Sequence, residues 1–160
     1  MPEVICNTSA LQYLHQLGRL ELLRELYGRV TVPDAVAAGV AAGKKQGVDL
    51  PNLVTLPWIK VELAPTSAVT PGELGAGELA VLSLGATSPG AVVVLDDSLA
   101  RRYARLARIR VTGTCGVLLR AKQRGLVPTV KPLLDQLVRL GFHLDADTQQ
   151  NVLKLAGEAD

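Results

Sequence analysis

Ala91-Val92-Val93-Val94-Leu95-Asp96-Asp97 decides the reading of this chain. Five consecutive apolar residues fit a strand buried on both faces, as in a parallel sheet with helices on each side. The run stops at two carboxylates. In open parallel sheets, sites form beyond the carboxyl ends of the strands, so Asp96 and Asp97 stand where chemistry would gather.

Working outward, Val4-Ile5-Cys6 repeats the pattern and ends at Asn7-Thr8-Ser9, whose hydroxyls are expected to cap the helix that follows. Leu11, Leu14 and Leu17 give that helix an apolar stripe, Gly18 breaks it, and Leu20, Leu22, Leu23 and Leu26 mark a second helix closed by Gly28. Val30-Thr31-Val32 reads as a strand, and Pro33 suits the first turn of a helix reaching Val40. Residues 43–57 read mostly as loop, 58–63 as an alternating strand, and 64–75 as a connection. A helix is expected from Glu78 to a stop at Gly85. After the central strand come a helix over 98–108, a short strand at Arg110-Val111-Thr112, and helices over 114–124, 130–140 and 145–155. The alternation predicts one α/β domain over residues 1–160, with a mostly parallel sheet of about five short strands flanked by helices on both sides.

Composition bounds the function. At 160 residues, 48% apolar and 20% charged, the chain is a globular domain rather than a disordered one. Aromatics are only 3%, which leaves little material for a base-stacking platform. Cys6 and Cys115 have neither CxxC spacing nor a His cluster, which argues against a disulfide framework or structural zinc and fits a reducing compartment. The start lacks a signal-peptide pattern and no apolar run reaches membrane-spanning length, so a soluble cytoplasmic protein with no membrane partner is expected. The net charge of +2 hides an asymmetry. Residues 98–131 hold nine of the 17 basic residues and no acid, so 15 acids and eight bases elsewhere leave the remainder at −7. An acidic body with a basic segment suggests an anionic partner.

Asn7, Glu78, Asp96 and Asp97 can all reach the carboxyl edge of such a sheet. Carboxylate oxygens suit Mg²⁺ or Mn²⁺, which keep waters and bind substrate phosphate. Adjacent Asp after a strand are also ordinary helix caps, and the residues alone leave both readings open. Arg101, Arg105 and Arg108 follow i, i+4, i+7 spacing and are read as a phosphate-contacting helix face rather than a merely solvated one. Arg120, Lys122 and Arg124 read as surface. His15 and His143 have no ligand spacing and read as structural or exposed, the cysteines as small core residues, and Asp145 and Asp147 as caps of the last helix.

Stretches in order along the chain carry a resemblance: Asn7-Thr8-Ser9-Ala10-Leu11, residues 18–28, Val32-Pro33, Leu74-Gly75-Ala76-Gly77-Glu78, residues 94–101, and residues 111–122. They resemble the PIN-domain family, in particular short prokaryotic members related to the VapC toxins. The resemblance implies a parallel sheet with acids clustered at one edge around Mg²⁺ or Mn²⁺, and endonucleolytic cleavage of RNA. It aligns Asn7 with the Asp that ends the first strand, Glu78 with the Glu of a Gly-Glu pair, and Asp97, with Asp96 beside it, with the Asp after the fourth strand. The implied catalytic set is Asn7, Glu78 and Asp97, the metal set Glu78, Asp96 and Asp97, with Ser9 and Thr114 in support. Thr114 and Gly39 stand where related sequences often carry further acids. With Asn7 uncharged, the metal is expected to bind weakly. The resemblance further implies a homodimer and a small antitoxin protein as partner; a catalytically weakened RNA- or protein-binding module is the alternative.

Overall fold

The computed structural model describes residues 2–65 and 72–159. Five parallel strands, β1 (Val4–Cys6), β2 (Val30–Pro33), β3 (Ile59–Glu62), β4 (Val92–Val94) and β5 (Arg110–Thr112), lie in the order β3-β2-β1-β4-β5. The central strands are the apolar ones because both their faces are covered: every residue of β1 and β2 is buried, whereas β3 and β5 at the edges are more exposed. Registers such as Cys6 with Val94 and Val94 with Thr112 bring the strand ends level.

The helices are α1 (Thr8–Gln16), α2 (Glu21–Tyr27), α3 (Asp34–Lys45), α4 (Ala76–Thr87), α5 (Ser98–Leu106), α6 (Thr114–Gln123), α7 (Lys131–Arg139) and α8 (Ala146–Leu155). The chain moves from β1 through β2 to β3 in one direction, then returns past β1 to β4 and β5. Right-handed crossovers therefore place the helices that connect the strands of the two halves on opposite faces. Thus α4 packs with α5 and against β1, β2 and β4, and also meets α3, while α6, which follows the last strand, packs back on α1 and α2. One core cluster runs from Val4 to Leu153, with Ile5, Leu11, Leu23, Leu95, Leu118 and Leu134 fully enclosed.

Several local expectations give way to the structure. The helix expected to end at Val40 continues to Lys45, its last turn carrying Lys44 and Lys45, whose charges suit a helix carboxyl end. Within the segment expected as loop, Leu53–Thr55 forms a 3₁₀ turn. Trp58 is buried ahead of β3 rather than lying on it. Thr8 and Ser9 sit inside the first turn of α1 and do not cap it; the cap position is Asn7. Gly85 does not stop α4, which runs two residues further to Thr87. A Cβ there would lie 2.9 Å from Val93 Cγ1 and 3.1 Å from Ile109 Cγ2, so this glycine lets α4 lie close on the sheet. The helix expected over 98–108 ends at Leu106, and Arg108 leaves it in a left-handed conformation with φ 58°. Residues 66–71 of the expected connection before α4 lie outside the described residues.

Candidate active site

Strand order reverses between β1 and β4, and that switch point is where a doubly wound sheet opens a crevice. Asn7 leaves β1 there, and its backbone N–H still donates to the Val94 carbonyl at 3.2 Å. Asp96 leaves β4 one residue after Leu95, whose N–H donates to the Thr112 carbonyl at 2.9 Å. The strand ladders thus carry both side chains to the same edge. A cleft of about 410 Å³ opens over them, lined by Asn7, Ser9, Glu78, Asp96 and Asp97 together with Tyr13 and Phe142.

Asp96 is the most firmly held of these groups. Its Oδ2 accepts from Ser9 Oγ at 2.8 Å and from Thr114 Oγ1 at 2.7 Å, and its Oδ1 accepts from the Thr114 backbone N–H at 2.7 Å. Thr114 is fully buried. Three donors orient the carboxylate without neutralising it, and they leave lone pairs over, since a carboxylate offers about four acceptor positions. Gly113 permits the approach: a Cβ on it would lie 2.9 Å from Asp96 Oδ1 and 3.2 Å from the Leu95 carbonyl oxygen.

Asp97 has a different setting. Its Oδ2 accepts from the Ala100 N–H at 2.9 Å, the bond of a helix cap, so it seats the first turn of α5 while its residue lines the cleft. Glu78, in the first turn of α4, accepts from the Gly75 N–H at 3.0 Å, which fixes its carboxylate at the start of the helix. Gly77 allows α4 to meet β1 closely, since a Cβ there would lie 3.0 Å from Asn7 Oδ1. Gly39 looks toward Thr8, 3.8 Å from the site of its missing Cβ.

The three arginines expected on one helix face separate. Arg101 is half-buried and donates to the Leu95 carbonyl at 3.1 Å. Burial first, and Arg105 second, lower its pKa, while the charge of Asp96 acts the other way. Arg105 is exposed, and Arg108 lies beyond the helix end. Cys115 is pushed up to about 12, mainly by burial and then by the Asp96 charge, and burial raises Cys6 further; both thiols remain protonated. Asp145 caps α8 through the Thr148 N–H, as its sequence position suggests.

Sequence reasoning missed Tyr13, Phe142 and His143. Tyr13 and Phe142 form an edge-to-face pair with centroids 5.0 Å apart, and His143 joins them on the cleft wall. Scarcity of aromatics argued against a stacking surface, yet two of the few converge here. No local pattern signals this, because α1 and the turn between α7 and α8 meet only in the fold.

The family model described as a PIN domain, DUF3368, matches residues 3–158. The chain belongs to the PIN-domain family. Comparison with curated proteins and with solved structures gives no match. Membership accounts for the parallel sheet and makes nuclease-type chemistry, divalent metal and RNA the general associations of this PIN domain. No helix among the described residues is long and apolar enough to cross a membrane.

Among the described residues, no three His, Cys, Asp or Glu side chains stand close enough to form a ready metal cage. The donors nevertheless suit the way Mg²⁺ binds, through one or two carboxylates with water and substrate phosphate supplying the rest. Asp96 and Glu78 line the cleft and each accepts fewer bonds than a carboxylate can take, and Asn7 adds a carbonyl oxygen.

Proposed function

We propose that this PIN domain, over residues 1–160, is an endonuclease cutting single-stranded RNA with Mg²⁺ or Mn²⁺, and that Asp96 and Glu78 are its principal metal-binding carboxylates. The observation that carries the reading is the convergence of Asn7, Glu78 and Asp96 at the switch point, with Asp96 oriented by Ser9 and Thr114. A bound divalent ion would supply an activated water and offset the charge that builds on phosphorus. Asp96, held at three points, would anchor it; Glu78 would hold a second coordination position; Asn7 would contribute an uncharged oxygen, so binding is weak without substrate. Asp97 acts by seating α5. Arg101, beside Asp96, adds a positive charge near an incoming phosphate.

Labelled single-stranded RNA incubated with Mn²⁺ or Mg²⁺ tests this. Cutting by the wild type, abolished in Asp96→Asn and Glu78→Gln, is the expected result. Inert wild type that still binds RNA in a salt-sensitive way would favour the second reading, a binding module with weakened chemistry. The uncharged residues at Asn7, Gly39 and Thr114 are what favour that alternative. The finer expectations, a toxin acting with a small antitoxin and a homodimeric state, rest on the VapC resemblance. Growth arrest on expression, with rescue by a co-purifying small protein, tests the first. Light scattering of the purified chain tests the second.

A further inference from the structure

A second cleft, of about 380 Å³, lies across the starts of β4 and β5, where Val92, Arg110, Tyr27, Arg120 and Arg124 line it. Its position is the end of the strands opposite to Asp96. All three of its arginines are exposed, and no Asp or Glu lines it. Among the described residues none of the three enters an ion pair, whereas Lys122, between Arg120 and Arg124 in sequence, is taken up by Glu158 at 2.9 Å. Arg120, in the last turn of α6, and Arg124, the residue that caps its carboxyl end, stand one helical turn apart, and both line the cleft with Arg110 of β5. Three like charges around one cleft repel one another, and an anion between them removes that repulsion. Arg120 also lies over the Tyr27 ring, 5.9 Å from its centroid, so a planar guanidinium is held ready to stack or to fork onto phosphate.

Shared walls link this cleft to the acid site. A groove of about 510 Å³ shares Val111, Thr112, Gly116 and Leu119 with the arginine cleft, and shares Asp96, Ser98, Phe142 and His143 with the acid cleft. Its walls include the aliphatic Leu144, Val152 and Leu155, with Arg101 and Asp145 as further charged groups. An anionic backbone bearing flat apolar faces matches guanidinium at one end and aliphatic walls between. An acidic peptide matches only the guanidinium end.

We propose that Arg110, Arg120 and Arg124 form a second phosphate-binding site for single-stranded RNA, reached from the acid cleft along the groove between β5, α6 and α8. This deepens the nuclease reading and rests on it for the identity of the strand, but it concerns binding and needs no cleavage. Arg101 of α5 then serves the acid cleft, while the second site draws on β5 and the carboxyl end of α6.

The test is fluorescence anisotropy of labelled RNAs on the intact chain in EDTA, across a range of salt, with a long single strand and a dinucleotide. For the long strand, the combined variant Arg110→Gln, Arg120→Gln, Arg124→Gln is expected to lose affinity at least about tenfold. Its log Kd against log salt should flatten by about 2, from three phosphates at roughly 0.7 each. Dinucleotide binding should not change. Lys60→Gln, on β3 at the far edge of the sheet, should leave both unchanged. Replacing the three by Lys should keep most of the salt slope while losing affinity. An unchanged slope in the triple Gln variant with an unaltered melting temperature overturns the proposal. So does displacement of RNA from the cleft by millimolar inorganic phosphate regardless of RNA length, which would make it a small-anion site, or preferential capture of a polyglutamate peptide. Failure of metal-dependent cutting with this binding pattern intact would count against the nuclease reading alone.

Discussion

Replacing Asp96 by Asn separates the structural from the chemical role of the central carboxylate. In the native chain Oδ2 accepts from two hydroxyls, Ser9 Oγ at 2.8 Å and Thr114 Oγ1 at 2.7 Å. An amide retains the acceptor for the Thr114 N–H and turns the second position into a donor. Both hydroxyls can rotate to accept from it, so no buried group is orphaned, but all three charge-assisted bonds, that from the Thr114 N–H included, become neutral ones. At roughly 1 kcal/mol lost per bond, the cost is about 3 kcal/mol. Removing one charge from a cleft shared with Glu78 and Asp97 works in the opposite direction. In a water-filled cleft that relief is about 1 kcal/mol at most for charges 4 Å apart. The net expectation is destabilisation by about 2–3 kcal/mol, or a melting temperature lower by roughly 4–12 °C for a chain of this size. Urea titration should show a lower midpoint with the slope unchanged. Asp96→Ala strands the buried Thr114 hydroxyl and N–H and should cost more, about 3–5 kcal/mol. A double-mutant cycle with Thr114→Val should give a coupling near 1 kcal/mol. If Asp96→Asn matches or exceeds the wild type in stability, the hydroxyl pair does not hold Asp96 as described, and its place at the centre of the site loses its structural support.

Asp97→Ala should lower stability by about 1 kcal/mol through loss of the α5 cap while leaving most RNA cutting intact, in contrast to Asp96→Asn; chemical denaturation and a cleavage assay read the two effects. Gly77→Ala brings a methyl to 3.0 Å from Asn7 Oδ1 and 3.3 Å from Val36 Cγ2. The gain in helix propensity offsets the crowding, so stability should change little while cutting falls about tenfold from displaced groups. Asn7→Asp restores a charge at the switch point and should tighten Mn²⁺ binding by about an order of magnitude in calorimetric titration, with faster cutting. Burial raises the pKa of Glu158, but bonds from the Val130 and Lys131 N–H groups and from Lys122 outweigh it and hold the carboxyl below its ordinary 4.5. With the folded value depressed, its stabilisation is complete above pH 4.5 and is lost as pH falls below that through the folded value. Glu158→Gln should therefore be less stable than wild type at neutral pH and converge with it in acid.

The sheet was legible because its inner strands need apolar residues on both faces, and Val4-Ile5-Cys6 and residues 91–95 carry that demand openly. The carboxyl-edge rule then led to Asn7, Asp96 and Asp97. What sequence could not separate was Asp96 from Asp97: they are neighbours of one type, and only the exit path from β4 decides which meets Ser9 and Thr114 and which caps α5. Gly85 was misread because a glycine inside a helix and one at its end look alike; Val93 and Ile109 across the interface distinguish them. Arg108 fell out of its expected face because the last turn of α5 is ended by a backbone conformation, φ 58°, that the spacing of arginines does not encode. Tyr13, Phe142 and the arginines of the second cleft gain their roles from helices that meet only after the sheet has closed.

Ser9 and Asp96, which meet at 2.8 Å, stand 87 residues apart in the chain. A protein made from its amino end can pair β1 with β2 early, but the other flank of β1 waits for β4. Until then the acid cleft does not exist in any form. For a chain of this family emerging from a ribosome, the topology sets a delay: Asp96 can meet Ser9 only after more than half of the 160 residues have been synthesised and the two halves have met.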